Sequence, residues 1–331
     1  MTPASPIRVA LDQLLELSVV GSFSRGGFRA RRALFNWGEA VDADLAGRVA
    51  VITGATSGLG LATAHLLAQR GADLFLIGRD RSRTVAARQA VRERTPYANV
   101  EIAVADLADL DAVRAAADSV TTATPSVDVL IHNAGALVHQ LHRTGDGLEL
   151  TAQVHVAAPF LLTSLLLPHL RASGSARVIT VSSGGMYTQR LDVRLLDVPA
   201  VPFDGVRVYA NAKRAEVVLN ELWSRHPAGR GIHFHAMHPG WADTPGVQTS
   251  LPRFRRVMRP LLRSAEQGAD TTAWLAGAPE ALESNGRFWL DRRPRSTTVF
   301  PWTRTSDTEA ERLWSWCVAR AGARVEAGPA S

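Results

Sequence analysis

From residue 48 onward, short apolar runs alternate with longer segments whose apolar positions recur at helical spacing. The runs fall at 48–53, 73–77, 99–104, 127–132, 176–182, 231–237 and, more briefly, near 287–290, and they are rich in valine and isoleucine. Apolar runs of this length without polar alternation are what strands buried on both faces require. Helical patterns lie between them, at about 59–70, 80–94, 109–120, 146–172, 208–226 and 265–277. The alternation predicts an α/β chain, a three-layer doubly wound Rossmann fold on a parallel sheet of about seven strands. Such sheets take ligands beyond the carboxyl ends of their strands, so candidate chemistry is sought there.

The same pattern divides the chain. Residues 1–47 read as an N-terminal helical extension, 48–320 as the α/β domain and 321–331 as a tail. Two irregular stretches interrupt the domain: 184–207, with Pro199 and Pro202, and 241–264, with Pro245, Pro252, Pro260 and the cluster Arg253, Arg255, Arg256, Arg259 and Arg263. Long loops at that edge of an α/β sheet are commonly lids or substrate loops. A segment at about 306–320 carries Leu313, Trp314 and Trp316 on a docking helix. In the extension, Ile7, Leu11, Leu14, Leu15 and Leu17 predict an amphipathic helix ahead of an arginine-rich Gly21–Arg32. It reads as cover for the core or a subunit interface, with peripheral membrane contact as the sharper alternative. Asp12 and Glu16 inside its apolar part argue against a signal peptide. The most apolar stretch, Ala157–Leu170, holds Pro159, Pro168 and His169 and falls short of the ~20 residues of a membrane span.

Composition narrows the classes. At 331 residues and 46% hydrophobic, the chain can bury a sizeable core. Its one cysteine, Cys317, rules out an intramolecular disulfide framework and a cysteine metal cluster. No metal is expected, and a reducing cytoplasm is. The net charge of +6 comes almost wholly from arginine, because lysine occurs only at position 213. These arginines are scattered rather than gathered in one run, which favours an arginine-rich composition over a nucleic-acid surface.

The first strand runs into Thr53-Gly-Ala-Thr-Ser-Gly-Leu-Gly60, a glycine turn opening an alanine-rich helix. Gly54 permits the turn, Gly58 close backbone approach to a pyrophosphate, and Gly60 helix-to-strand packing. The helix N-terminus offers N–H groups to phosphate. Tyr209 and Lys213 lie four apart on a predicted helix, so phenol and ammonium share a face. A fixed cation favours phenolate, and a tyrosine so tuned can give a proton to a developing alkoxide or take one from an alcohol. Ser183, at the end of the fifth strand, can hydrogen-bond a carbonyl oxygen. Asn133-Ala134-Gly135 ends the fourth strand, where small residues make room for a ribose and Asn133 can tie strands together. Asp106 can accept from an adenine amine. Pro239-Gly240, followed by Thr244, could hold a carboxamide. The second strand ends in Gly78-Arg79-Asp80; glycine at the tip followed by arginine favours NADP(H) over NAD(H), with Asp80 as the next helix's N-cap.

In this order, Thr53–Gly60, Asp106, Asn133–Gly135, Ser183, Tyr209/Lys213 and Pro239-Gly240 resemble the short-chain dehydrogenase/reductase superfamily, in its retinol-dehydrogenase-like branch, over about residues 45–320. The resemblance implies an oxidoreductase interconverting a small-molecule carbonyl and alcohol, and a homodimer or homotetramer. Tyr209 would be the general acid/base, Lys213 would bind nicotinamide ribose, and Ser183 would orient the carbonyl. Cofactor contacts are implied at Gly54, Ser57, Gly58, Leu59, Gly60, Arg79, Asp106, Leu107, Asn133, Ala134, Gly135, Tyr209, Lys213, Pro239, Gly240 and Thr244. Where the branch carries asparagine in an N-x-x-G setting, this chain reads His155-Val-Ala-Ala158. His155 could hold a relay water as that asparagine does, or it could be a packed core histidine. That departure keeps open a dinucleotide-binding regulatory or scaffold protein. Met186, Tyr187, Trp241 and Phe254 suggest an apolar substrate.

Overall fold

A computed structural model describes residues 6–38, 43–197, 202–323 and 325. Residues 198–201, with Pro199, and residues 324 and 326–331 of the tail lie outside them. One sheet organises the chain. Its strands are β1 (Val49–Thr53), β2 (Asp73–Gly78), β3 (Val100–Val104), β4 (Val129–His132), β5 (Arg177–Val181), β6 (His233–Met237), β7 (Arg287–Leu290) and β8 (Arg293–Arg295). The order is β3-β2-β1-β4-β5-β6-β7-β8, parallel throughout except for β8. Adjacent residues of β1 serve opposite faces. Val51 joins the core beneath the helices Leu110–Ala123, Leu150–Ala172 and Gly205–Arg225. Ala50 and Ile52 join the core beneath Gly58–Ala68, Arg81–Arg94 and Ala265–Gly277. Burial on both sides is why the central strands β1, β2, β4 and β5 are apolar without alternation. The strand order reverses between β1 and β4, which opens a crevice at their carboxyl ends.

The eighth strand is an addition to the expected seven. Arg-Pro-Arg has no apolar signal, and its turn lacks glycine. Asp291 and Arg292 both take positive φ, at 54° and 53°, the geometry of a two-residue hairpin. Asp291 is fully buried, and its carboxylate binds Arg31 at 2.8 Å and Arg263 at 2.6 and 2.9 Å. Those cations hold the hairpin in a backbone region that most residues avoid.

The N-terminal helices Pro6–Glu16, Val19–Phe23 and Arg25–Leu34 are fixed by the same charges. The first of them is turned opposite to its apolar pattern: Asp12 is buried, while Ile7, Leu11 and Leu14 are exposed. Asp12 accepts hydrogen bonds from Arg31 and Arg295 and pairs with Arg293 at 3.1 Å, and that inward pull on the polar face outweighs the leucines. Burial alone would raise the Asp12 carboxyl, but Arg295 and Arg31 outweigh it and hold the group below its ordinary value.

The helix Leu150–Ala172 falls within the predicted 146–172 segment and extends beyond the apolar stretch Ala157–Leu170. By length and composition alone it could cross a membrane, with a mean hydropathy of 1.6, and 78% of that window is buried inside the molecule. Its prolines do not break it. Pro159 has no N–H to give the carbonyl of residue 155, and the turn before it, Gln153–Ala157, widens into a π-helical segment.

Two outcomes follow for stability. Asp291→Asn suits the left-handed turn but leaves buried Arg263 without its counter-charge and Arg31 with only Asp12 and Glu16. It should cost about 3–5 kcal/mol, read as a lower denaturant midpoint at unchanged slope. The depressed Asp12 carboxyl contributes stability above its unfolded value of 3.8 and loses it as pH falls through the lower folded value. Undocking of the N-terminal helices, followed by limited proteolysis, should therefore begin only below about pH 4.

Candidate active site

The crevice is built from the β1 turn outward. Gly54 has φ +65°, and a Cβ there would lie 2.7 Å from the Ala134 Cα. Thr53 and Asn133 clamp β1 to β4. Asn133 Nδ2 donates to the carbonyls of Thr53 (3.0 Å) and Gly54 (3.1 Å), and Thr53 Oγ1 accepts the N–H groups of Asn133 and Ala134. Gly58, at φ +56°, faces Thr244, whose Cβ would be 3.3 Å from an added Cβ. At Gly60 a Cβ would meet Asn133 Nδ2 and the Gly54 carbonyl, each at 2.5 Å, so this glycine packs against the turn and the end of β4. Ser57 caps the helix Gly58–Ala68 by position, with no side-chain cap bond. A glycine-lined concavity, a helix N-terminus and an uncommitted hydroxyl therefore meet in one place. These residues fit the phosphates of a dinucleotide.

The neighbouring positions surround that turn. Gly78 is closed in: a Cβ would lie 2.4 Å from Thr84 Oγ1 and 2.6 Å from Thr56 Cγ2. Arg79 is exposed beside it, and Asp80 caps the helix Arg81–Arg94 through Arg83 N–H at 2.8 Å. Asp106 is exposed after β3 and accepts from Ala108 N–H, while Leu107 is buried in the core. Leu59 meets Gly268, where a Cβ would lie 2.5 Å from its Cδ2. Gly240 has φ +73° and lies against the Arg263 guanidinium, while Thr244 caps Pro245–Ser250.

At the other end of the crevice, the helix Gly205–Arg225 carries Tyr209 and Lys213 on one face, with Lys213 Nζ 5.7 Å from the tyrosine ring centre. Lys213 is buried and donates to the Val181 carbonyl (2.9 Å) and Glu216 Oε1 (2.8 Å). Of the two adjacent serines, Ser182 donates to the Lys213 carbonyl at 2.8 Å. Ser183 only accepts, from Gly185 N–H at 3.2 Å, which leaves its O–H for a ligand.

His155 is buried and packed, held by polar partners rather than by a water. Its Nδ1 lies 2.9 Å from Glu216 Oε1, and its Nε2 lies 3.0 Å from Ala136 N and 2.9 Å from Ala136 O. Both ring nitrogens are engaged by protein, so neither is left to hold a water. Burial, reinforced by Lys213, lowers its pKa against the opposing pull of Glu216. The neutral ring then donates Nδ1–H to Glu216 and accepts the Ala136 N–H at Nε2. Its edge stands 5.4 Å from the Tyr209 ring, centre to centre. Glu216 escaped the sequence reading, although Tyr209, Lys213, Glu216 and Asn220 form a polar stripe at helical spacing, which was the available signal.

The expected apolar lining divides. Met186 and Tyr187 are buried with Phe23, Val217 and Phe288, because the N-terminal segment covers them. Trp241 and Phe254 stay partly exposed, edge-on at 5.6 Å. The arginine cluster disperses as well: Arg263 is buried on Asp291, Arg255 pairs with Asp243 at 2.8 Å, and Arg253, Arg256 and Arg259 are exposed.

The short chain dehydrogenase family pattern matches residues 48–253. Dehydrogenase/reductase SDR family member 12 of Homo sapiens is 40% identical over 273 residues, covering 82% of this chain and 84% of that protein. Retinol dehydrogenase 12 of Homo sapiens is 32% identical, covering 85% of this chain and 89% of that one. Among solved structures, an uncharacterized protein from Mycobacterium Paratuberculosis superposes with a TM-score of 0.69 at 28% identity, over 87% of this chain and 99% of that one.

The packing at His155 can be tested through Gly135, where an added Cβ would sit 2.7 Å from His155 Cε1. Gly135→Ala should displace the imidazole and lower stability by about 1–3 kcal/mol. Thermal unfolding measures the loss, and a histidine ¹⁵N spectrum shows the ring leaving Glu216.

Proposed function

The chain belongs to the short-chain dehydrogenase/reductase family, and on that premise we propose an NADP(H)-dependent oxidoreductase that interconverts a carbonyl and an alcohol with Tyr209 as general acid/base. The observation that carries this reading is the Tyr209–Lys213 pair on one helix face, opposite a Ser183 hydroxyl whose proton is uncommitted. A bound nicotinamide supplies or accepts the hydride. The protein's part is proton transfer and orientation. Ser183 O–H donates to the substrate oxygen and holds it as charge develops. Tyr209 gives that oxygen its proton in reduction and takes one back in oxidation. Lys213, with two of its three protons directed at Val181 and Glu216, keeps a third for a ribose hydroxyl. The Gly54–Gly60 turn holds the phosphates.

The preference for NADP(H) is supported by the closed space at Gly78. An acidic side chain at the β2 tip would collide with Thr84 and Thr56, so no carboxylate can bind a ribose 2′-hydroxyl from that position. Arg79 stands exposed beside it, suited to a 2′-phosphate. Trp241 and Phe254 support an apolar substrate. Cys317, the sole cysteine and buried, supports a cytoplasmic setting.

Tyr209→Phe should reduce turnover by about 10²–10⁴-fold with NADPH affinity nearly intact, read by steady-state kinetics beside fluorescence titration. Turnover equal to wild type would remove Tyr209 from the reaction. Arg79→Ala should weaken NADPH binding much more than NADH binding; equal losses would refute the 2′-phosphate role.

A further inference from the structure

Glu216 brings together groups from three elements. It is buried, and its Oε1 lies 2.8 Å from Lys213 Nζ and 2.9 Å from His155 Nδ1. Its Oε2 is also buried and has no hydrogen-bond partner. A buried carboxylate with one oxygen unsatisfied is a poor device for stability, since an apolar side chain of similar size there could be neutral or stabilising. The titratable groups facing it are Lys213 on its own helix, His155 on the helix Leu150–Ala172, and His132 on β4; Tyr209 lies next to Lys213 and His155. His132 is neutral, pushed down to about 4 by burial. His155 is lowered as well. Lys213 and Glu216 are therefore the opposed charges of this cluster, and Tyr209 stands in their joint field.

We infer that Glu216 is a positioning residue for the Tyr209–Lys213 pair: one oxygen fixes the Lys213 ammonium and the His155 ring together, and its charge limits how much of the ammonium's field the phenol receives. His155 completes the arrangement. By donating to the same oxygen and resting on Ala136, it keeps the carboxylate from turning away from Lys213. Pro159 and the π-helical segment Gln153–Ala157 aim the ring, and Gly135 leaves room for it. This inference rests on the oxidoreductase reading above.

The sign of the effect is fixed by charge. A carboxylate beside Lys213 favours the protonated forms of both the amine and the phenol. Its neutralisation favours loss of either proton. Carbonyl reduction needs both protons in place, so its alkaline limb should move to lower pH.

The experiment compares wild type, Glu216→Gln and Glu216→Asp in the full chain. NADPH binding is read by fluorescence, and kcat and KM for carbonyl reduction are read from pH 5 to 10. Glu216→Gln should lower kcat about tenfold or more with little change in KM, and should shift the alkaline limb downward by about 0.5–1 pH unit. Glu216→Asp keeps the charge while disturbing the packing, so it should keep the wild-type limb even if slower. Superimposable limbs in wild type and Glu216→Gln, or the same downward shift in Glu216→Asp, would overturn the inference alone. If Glu216→Gln does not fold, the Glu216→Asp limb decides. A wild type that binds NADPH and reduces no carbonyl would overturn the functional reading, and this inference with it.

Discussion

A carboxylate with no access to water needs matching cations, and meeting that need at Asp291 organises the outer half of the molecule. Arg31 reaches it from the N-terminal helices and Arg263 from the loop beyond β6. Each guanidinium has further donors, and these meet backbone carbonyls. Arg263 binds those of Ser22, Phe23 and Ser24, and Arg31 that of Ser22. Trp241 N–H then donates to the Phe23 carbonyl at 2.9 Å. The extension is thereby joined to the Pro239-Gly240 turn, where the Gly240 backbone lies against the Arg263 side chain. A segment that precedes the sheet in sequence thus helps set one wall of the crevice.

The two ends of that crevice are built on different principles. The glycine turn works by absence: Gly54, Gly58 and Gly60 leave space where side chains would collide with Ala134, Thr244 and Asn133. The Tyr209 end works by charge, with an ammonium, a carboxylate and an imidazole packed out of water. The first can be kept by sterics alone. The second demands partners for every buried proton donor, and the π-helical turn that Pro159 imposes on the helix Leu150–Ala172 carries His155 among them.

What could be read from the sequence follows the range of the interactions. Strands β1, β2, β4 and β5 were legible because burial on both faces writes a local apolar run, and β3, β6 and β7 carry shorter versions of it. The glycine turn and the Tyr209–Lys213 spacing were legible because their geometry repeats within a few residues. The hairpin strand Arg293–Arg295 was not, since its turn is held by charges 260 and 28 positions away rather than by a turn residue. The facing of the first helix inverted for the same reason: the partners of Asp12 lie on Arg31 and on the distant hairpin strand. His155 could not be assigned because its partner Glu216 is 61 positions away.

The lone lysine has a consequence outside catalysis. Lys213 is 4% exposed, and every other fixed side-chain cation in the chain is an arginine. Guanidinium groups stay protonated and resist acylation and Schiff-base formation at neutral pH. The folded surface therefore offers lysine-directed chemistry no ready target, whether from an acetyl donor, a ubiquitin ligase or a laboratory cross-linker. A reagent that does modify a lysine side chain in this protein reports directly on access to the bottom of the crevice.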